Sequence, residues 1–308
     1  MRTILLTLAY DGSGYCGWQV QPNGTSLQAV VEQALAEHTG ETIRVTAAGR
    51  TDAGVHACGQ LVSFPTASEI PPIGFRLGLQ TKLPDDIVVC DAVEVPHGFS
   101  ARYDTVRKTY RYVIQNDRLR TPWLRKYVGW HRTPLDDRAM QAACDVLIGT
   151  HDFRSFESDW PNKATSVRTI FNARIWRTAT WKVWDEIAQN QEQRAMKVSH
   201  PEFDDTAITG FSPSTLNPQP STFLCLDITA DGFLYNMVRA IVGTLIHVGR
   251  GNWTADDVRR ILAAQDRSVA GETAPAHGLY LLRCYYEIDE RKIAERLSRP
   301  HTPVIEES

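Results

Sequence analysis

The chain has 308 residues, a formal net charge of −3 and an apolar fraction of 43%, which are ordinary values for a globular protein of one large or two smaller domains. No stretch approaches the roughly 18 apolar residues of a membrane span, and the first residues predict a strand rather than a signal peptide, so we expect a cytoplasmic protein. The six cysteines are scattered without a C-x-x-C pair, which indicates free thiols and argues against a zinc site.

The first third of the chain predicts alternating strands and helices. In chain order the predicted elements are a strand at 3–10, a helix that starts at Thr25 or Ser26 and closes at Gly40, strands at 41–49 and 54–64, a short helix within 73–86 and a strand at 87–95. This β-α-β-β-α-β order is that of a ferredoxin-like split unit, so we expect an α+β fold.

The remainder predicts a second unit of related order. Its elements are a strand at 108–116, a helix capped by Asp136 or Asp137 that runs to Gly149, strands at 166–177 and 221–231, helices at 232–249 and 254–265 and a strand at 278–288. We interpret residues of about 178–220 as an irregular surface insertion, because they are acidic and rich in Pro, Ser and Thr. The predicted boundaries are 1–103 and 104–290 for the two halves and 291–308 for a tail.

Basic residues are concentrated in one segment of this weakly acidic chain. Between positions 102 and 132 nine Lys and Arg are opposed by two Asp, so the segment carries 9 − 2 = +7. A local basic stripe suits phosphate binding, although a solvated strand-and-loop face has the same composition. The nine residues are Arg102, Arg107, Lys108, Arg111, Arg118, Arg120, Arg125, Lys126 and Arg132.

The most distinctive stretch is the glycine-rich bend at 47–60, AAGRTDAGVHACGQ. Gly49 and Gly54 permit a sharp turn and a close approach by something else, and Thr51 can stiffen the turn. Asp52 is then placed at the apex. The local residues leave two interpretations open: an Asx-turn that only shapes the bend, or a carboxylate held ready for chemistry.

Three other segments bear on that choice. Residues 10–21 form a loop that is dense in glycine and aromatic residues. Alternation along the strand at 108–116 places Tyr110 on one face and Arg111 on the other, and a tyrosine there either stacks on a base or packs in the core. In the helix predicted at 232–249, Arg239 lies off the apolar face, where it is either solvent-exposed or directed into a site.

These segments resemble, in the same order, the motifs of the tRNA pseudouridine synthase A family. The bend matches the pattern G-R-T-D-A-G-V-H-A followed by G-Q, which is far more specific than a lone G-x-G-x-x-G. The resemblance covers nearly the whole chain except the insertion at about 178–220 and the tail. It continues through YDGSGYCGWQ, LPDDI, FSARY, RKTYRY, GTHDFRSF, SVRTI, GFLYNMVRAIVG and APAHGLYL.

The resemblance implies a fold, a reaction and an assembly. The implied fold has two ferredoxin-like halves that share a central antiparallel sheet, with helices packed on it and a basic cleft between the halves. The implied enzyme converts uridine to pseudouridine at positions 38, 39 and 40 of the tRNA anticodon stem-loop. It needs neither a cofactor nor a metal, its partner is tRNA, and it is a homodimer.

The resemblance also implies roles for particular residues. Asp52 falls on the family's nucleophile, Tyr110 on the tyrosine that packs on the target base, and Arg239 on the arginine that pairs with the catalytic aspartate. Arg50 falls on an arginine that contacts RNA near the extruded nucleotide. The other basic residues that we expect to contact the substrate are Arg102, Arg107, Lys108 and Arg111.

Other functions remain to be weighed against this one. A non-catalytic RNA-binding protein could share the fold, but it would have no need of a buried acid with an arginine partner. A synthase of the same kind could act on other tRNA uridines. An acid-dependent hydrolase would need a second catalytic carboxylate or a metal cluster, and the sequence shows neither at a recognisable spacing.

Overall fold

The computed structural model of this chain describes residues 1–158, 165–179, 195–197 and 222–298. The strands are β1 (Arg2–Tyr10), β2 (Thr46–Ala47), β3 (His56–Thr66), β4 (Ile87–Val95), β5 (Thr105–Asn116), β6 (Gly129–His131), β7 (Gly149–Asp152), β8 (Val167–Thr178), β9 (Ala195–Lys197), β10 (Phe223–Ala230) and β11 (Leu279–Tyr286). The helices are α1 (Leu27–Thr39), α2 (Pro72–Gln80), α3 (Ala101–Asp104), α4 (Asp137–Leu147), α5 (Met237–Gly249), α6 (Ala255–Ala264) and α7 (Glu290–Ser298). In these ranges no helix has the length and apolar character needed to cross a membrane.

One mixed sheet runs through the molecule, in the order β4-β1-β3-β11-β5-β10-β8-β7. The predicted α+β class is confirmed, but the sheet is not purely antiparallel as expected. Three pairs are parallel, namely β3 with β11, β5 with β6 and β9 with β11. The reason is that these pairs join strands that no hairpin connects, so the antiparallel geometry that a hairpin imposes does not apply to them.

The contact between β3 and β11 brings the early and late parts of the chain together. On the edge that faces away from β1, β3 has two different partners. Ser63 and Val62 pair with β2, whereas His56 and Ala57 pair with β11. The spatial orders β4-β1-β3-β2 and β11-β5-β10-β8 follow the same pattern. In each set of four, the strand that comes first in the chain (β1 or β5) lies between the strands that come fourth (β4 or β11) and third (β3 or β10). The start of β3, just after the bend, is therefore held in the middle of the sheet.

Local signals place most helix ends where the structure has them. Ser26 caps α1, and Gly40 closes it with a φ of 74°. Thr254 and Asp257 form both hydrogen bonds of a capping box at α6. The helix predicted at 232–249 is shorter than expected, because Asn236 adopts a left-handed conformation (φ 61°) and α5 begins only after it.

Three other expectations meet the structure differently. Of the strand predicted at 41–49 only Thr46–Ala47 forms, since the Val45 amide donates instead to the Glu32 carboxylate at 3.0 Å. The predicted tail begins with α7, whose Arg296 makes a bidentate ion pair with Asp104 at 3.0 and 2.7 Å. The insertion expected at about 178–220 lies almost entirely outside the described residues. All six cysteines are free thiols.

Candidate active site

The loop at 10–21 fixes the bend that carries Asp52. A backbone bridge joins Gly17 to Asp52, and the Trp18 amide donates to the Thr51 carbonyl over 2.9 Å. Gly17 has a φ of 111°, and a Cβ at this position would lie 2.8 Å from the Thr51 oxygen. Because a side chain would be strained and would clash here, the glycine of the first loop is what lets the two loops approach so closely.

The Asp52 carboxylate faces a residue from the far end of the chain. Arg239 Nη1 donates to Asp52 Oδ2 over 3.2 Å, although 187 positions separate the two residues. Their side chains are 26% and 17% exposed for Asp52 and Arg239, so the pair is sheltered but open on one side. Among the described residues no backbone amide binds this carboxylate. The structure therefore does not show the Asx-turn that the local sequence left open.

Arg239 is itself held by two further acceptors, which the sequence analysis did not identify. Its Nε donates to the Ala274 carbonyl over 2.7 Å, and its Nη1 also donates to Asn236 Oδ1 over 2.6 Å. Asn236 in turn donates through Nδ2 to Ser158 Oγ over 3.0 Å. The guanidinium is thus oriented before any ligand arrives. A polar residue three positions before an arginine at a helix start was the available signal for Asn236.

Burial and the arginine act on Asp52 in opposite directions. Burial raises the pKa of Asp52 above the ordinary 3.8, whereas the charge of Arg239 and its hydrogen bond lower this pKa, and burial has the larger effect. Without Arg239 the pKa of Asp52 would rise further. The pair therefore keeps a sheltered carboxylate more ionised than its surroundings alone would allow.

Tyr110 on β5 is close enough to Asp52 to sense its charge. The side chain is only 7% exposed, and its ring packs edge-to-face against Phe233 with the ring centres 5.0 Å apart. Burial, and more weakly the nearby acidic groups including Asp52, raise the pKa of Tyr110 well above its ordinary 10. The phenol therefore carries its proton at neutral pH, which makes it a hydrogen-bond donor and an apolar surface rather than a ready base.

Arg111 lies in a different environment from the one expected of an RNA contact. Its side chain is 1% exposed, and its Nε and Nη2 reach Asp227 Oδ1 and Oδ2 at 2.6 and 2.7 Å. The guanidinium also lies 4.9 Å from the centre of the Trp176 ring. The reason is register, because β10 places Asp227 directly opposite Arg111. The expectation that Arg111 contacts RNA is therefore corrected to a structural ion pair.

The other basic candidates are either exposed, as Arg50 and Arg102 are, or half-buried, as Arg107 and Lys108 are. Arg107 stacks over Phe171 at 4.3 Å. Lys108 extends its ammonium group to within 3.1 Å of where a Gly49 Cβ would be, so it reaches the bend. Burial lowers the pKa of Lys108, and neighbouring Arg168 and Arg102 add to this effect. Lys108 therefore adjoins the bend that carries Arg50 and Asp52.

The residues described by the structure contain no group of three or more His, Cys, Asp or Glu placed to hold a metal ion. The arrangement at hand is instead an ionisable carboxylate, an oriented guanidinium, a protonated phenol and adjacent cations. Such a set can bind a polyanion and present one reactive carboxylate to it.

Known proteins match this chain over most of its length. A family model described as tRNA pseudouridine synthase matches residues 7–104 and 143–287. The tRNA pseudouridine synthase A of Moorella thermoacetica is 42% identical over 289 residues, which cover 93% of this chain and all of that protein. The protein of the same name from Caldicellulosiruptor bescii is 40% identical over 286 residues, with 93% and 100% covered.

The chain belongs to the tRNA pseudouridine synthase family.

Some of the site residues lie inside the ranges matched by the family model, and others lie between them. Asp52 lies in the first range matched by the family model and Arg239 in the second, so the two matched ranges meet at this ion pair. Tyr110 and most of the basic segment lie between the matched ranges. As a member of an isomerase family the chain is an enzyme, and the Asp52–Arg239 pair is the candidate centre of its site.

Proposed function

We propose that this protein isomerises uridine to pseudouridine in the tRNA anticodon stem-loop, at positions 38, 39 and 40, with Asp52 as the nucleophile. The observation that carries the proposal is the Asp52–Arg239 pair, in which an arginine already held by Asn236 and Ala274 opposes the rise in the pKa of Asp52 that burial causes. A protein that only binds RNA would have no use for this arrangement, since a buried acid opposes a polyanion.

The reaction accounts for the residue types. The N1–C1′ bond breaks, the uracil turns, a C5–C1′ bond forms, and the C5 proton leaves while N1 gains one. The target base must first leave the stack, which costs a few kcal/mol. Asp52 then either adds covalently to the nucleotide or removes a ribose proton, and both routes need its ionised form. Tyr110 packs on the extruded base and donates its hydroxyl proton in a hydrogen bond.

The same proposal covers the surroundings of the site. We infer two ferredoxin-like halves that meet where β3 pairs with β11, with a basic cleft at this junction that receives the tRNA. Its phosphates are bound by Arg50, Arg102, Arg107 and Lys108, without Arg111. The active assembly is a homodimer, and no cofactor takes part.

Mapping of pseudouridine tests the proposal directly. Unmodified tRNA transcripts are incubated with the purified protein, and modified positions are located by chemical labelling and primer extension. We expect pseudouridine at positions 38, 39 and 40 with wild type and none with Asp52→Asn. Pseudouridine confined to other positions would retain the reaction and overturn the stem-loop assignment. The absence of any pseudouridine with folded wild-type protein would overturn the function.

A further inference from the structure

A loop outside the site exposes large apolar side chains. The tip loop, defined here as residues 117–126 between β5 and β6, contains Leu119 and Trp123 with 79% and 74% of their surfaces exposed. Two large apolar side chains exposed within one short loop leave more apolar surface in water than a single exposed residue, and exposed apolar patches mark binding surfaces. The tip loop lies outside both ranges matched by the family model.

The tip loop is also strongly basic. Arg118, Arg120, Arg125 and Lys126 are all exposed, and Asp117 is the only acid, so the loop carries 4 − 1 = +3. Within the described parts of the chain none of these four cations pairs with a carboxylate. An aromatic side chain among unpaired cations is the composition that binds single-stranded nucleic acid, by stacking on bases and by contact with phosphates. The same charge disfavours contact with a copy of itself.

Hydrogen bonds hold the tip loop in one shape. Gln115, which is 3% exposed, donates through Nε2 to the Leu119 carbonyl at 3.1 Å and to Thr121 Oγ1 at 2.8 Å. Its Oε1 accepts from the Thr121 amide at 3.0 Å, and Trp130 Nε1 donates to the Asp117 carbonyl at 3.0 Å. Trp123 is therefore presented from an ordered loop, which reduces the entropy lost on binding.

The tip loop adjoins the active site. The Lys126 carbonyl lies 2.9 Å from His56 Nε2, and His56 begins the strand that follows the Asp52 bend. At the other end, Arg120 is among the charges that lower the pKa of His277, although burial is the larger cause. RNA that occupies the site therefore passes close to this loop.

We propose that the tip loop is a second RNA contact, in which Trp123 stacks on an unpaired base of the tRNA while Arg118, Arg120, Arg125 and Lys126 bind the flanking phosphates. This inference rests on the proposed function for its substrate, but it assigns a binding surface that the catalytic pair does not require. Stacking on one base, measured by replacement with alanine, changes affinity by about 5- to 100-fold.

The test measures the dissociation constant of tRNA for wild type, Trp123→Ala, Trp123→Phe and Leu77→Ala. Leu77 on α2 is 61% exposed and serves as the control, since it is an exposed apolar residue that lies outside the tip loop. We expect Trp123→Ala to bind about 5- to 100-fold more weakly, Trp123→Phe to lose much less and Leu77→Ala to be unchanged. A fully paired RNA duplex should not distinguish the variants.

Each contrary result has a defined meaning. Equal affinity of Trp123→Ala and wild type, or an equal loss on the fully paired duplex, would overturn stacking by Trp123. A fall in molecular mass of Trp123→Ala in sedimentation would assign the loop to a protein interface and overturn the RNA contact. The proposed function fails separately, through absence of pseudouridine with wild type, because the affinity measurement requires no turnover.

Discussion

Arg111 with Asp227 and Arg239 with Asp52 are two of the arginine–aspartate pairs that join distant parts of the chain, and they differ in how the carboxylate is held. Asp227 accepts from Arg111 Nε, Arg111 Nη2 and Trp176 Nε1, the last at 3.2 Å. Asp52 accepts a single described hydrogen bond, from Arg239 Nη1. A carboxylate with several donors is fixed in place, whereas one with few donors keeps lone pairs available for reaction. The two aspartates therefore differ in their number of described donors, which favours a structural role for Asp227 and supports the reactive role proposed for Asp52.

The largest expected effect comes from removing the reactive carboxylate. Asp52→Asn is nearly isosteric but cannot act as a nucleophile, so we expect pseudouridine formation to fall by more than about 10⁴-fold, the scale seen when a nucleophile is lost. The tRNA dissociation constant should stay within a few-fold of wild type. Single-turnover assays and binding titrations measure the two effects. Appreciable turnover by the variant, with deamidation excluded, would remove Asp52 from this role.

The second effect concerns the arginine of the reactive pair. Arg239→Lys keeps the charge but loses the planar group that reaches Asp52, Asn236 and Ala274 together. Arg239→Leu also removes the charge that lowers the pKa of Asp52. We expect activity to fall in the order Arg, Lys, Leu, with a loss of about 10²- to 10³-fold for Leu. The residual rate of the Leu variant should rise with pH more steeply than that of wild type between about pH 6 and 8.

Asn236→Gly supplies the control for this series. Glycine keeps the left-handed backbone that Asn236 adopts, but it removes the amide that accepts from Arg239. Activity should therefore fall while the charge beside Asp52 remains, so the pH profile should stay near that of wild type. A wild-type rate and pH profile in Arg239→Leu would show that Arg239 does not act on Asp52.

The sequence predicted the elements better than the contacts between them. Ser26, Gly40 and the Thr254 capping box act within one turn of their own helix, so local residues suffice to locate them. Alternation along β5 was also correct in placing Tyr110 and Arg111 on opposite faces. This alternation could not show that the face of β5 that carries Arg111 is buried. That burial depends on the contact with Asp227, which follows Arg111 by 116 positions.

The site shows the same division between local and distant information. The family motif pointed to Asp52 and Arg239, and the structure places them 3.2 Å apart. The carbonyl of Ala274 left no sequence signal, since every residue has a carbonyl group and only the fold directs this one at Arg239. Register and long-range packing, which fix these contacts, are not encoded in any short stretch.

Substitution in the Arg111–Asp227 pair should lower the free energy of unfolding rather than the rate of the reaction. Asp227→Asn removes the carboxylate charge that lies opposite the buried Arg111 guanidinium, and breaking such a buried pair costs about 3–5 kcal/mol. We expect a lower free energy of unfolding in urea, with the rate per folded molecule close to that of wild type. Asp256→Asn, which alters an exposed ion pair on α6, is the control and should change stability by less than about 1 kcal/mol. A large loss of chemistry in folded Asp227→Asn would contradict the structural assignment.

The smallest expected effect is a gain in the free energy of unfolding for Asp52→Asn, opposite in sign to the loss expected for Asp227→Asn. Burial holds the pKa of Asp52 above that of an unfolded chain, so the folded state binds the Asp52 proton more tightly than the unfolded state does. Stability contributed by the protonated form is fully present below about pH 4 and is lost as pH rises through the folded pKa. At pH 8 the wild type therefore bears the cost of a buried charge, which Asp52→Asn avoids.

We expect this inactive variant to be more stable than wild type at pH 8, by about 1 kcal/mol or less, with the difference shrinking towards pH 4.5. Urea unfolding of both proteins at the two pH values measures it. A variant that is less stable at pH 8 would mean that the interaction of ionised Asp52 with Arg239 outweighs burial, and the contrast with Asp227 would then lie in hydrogen bonding alone.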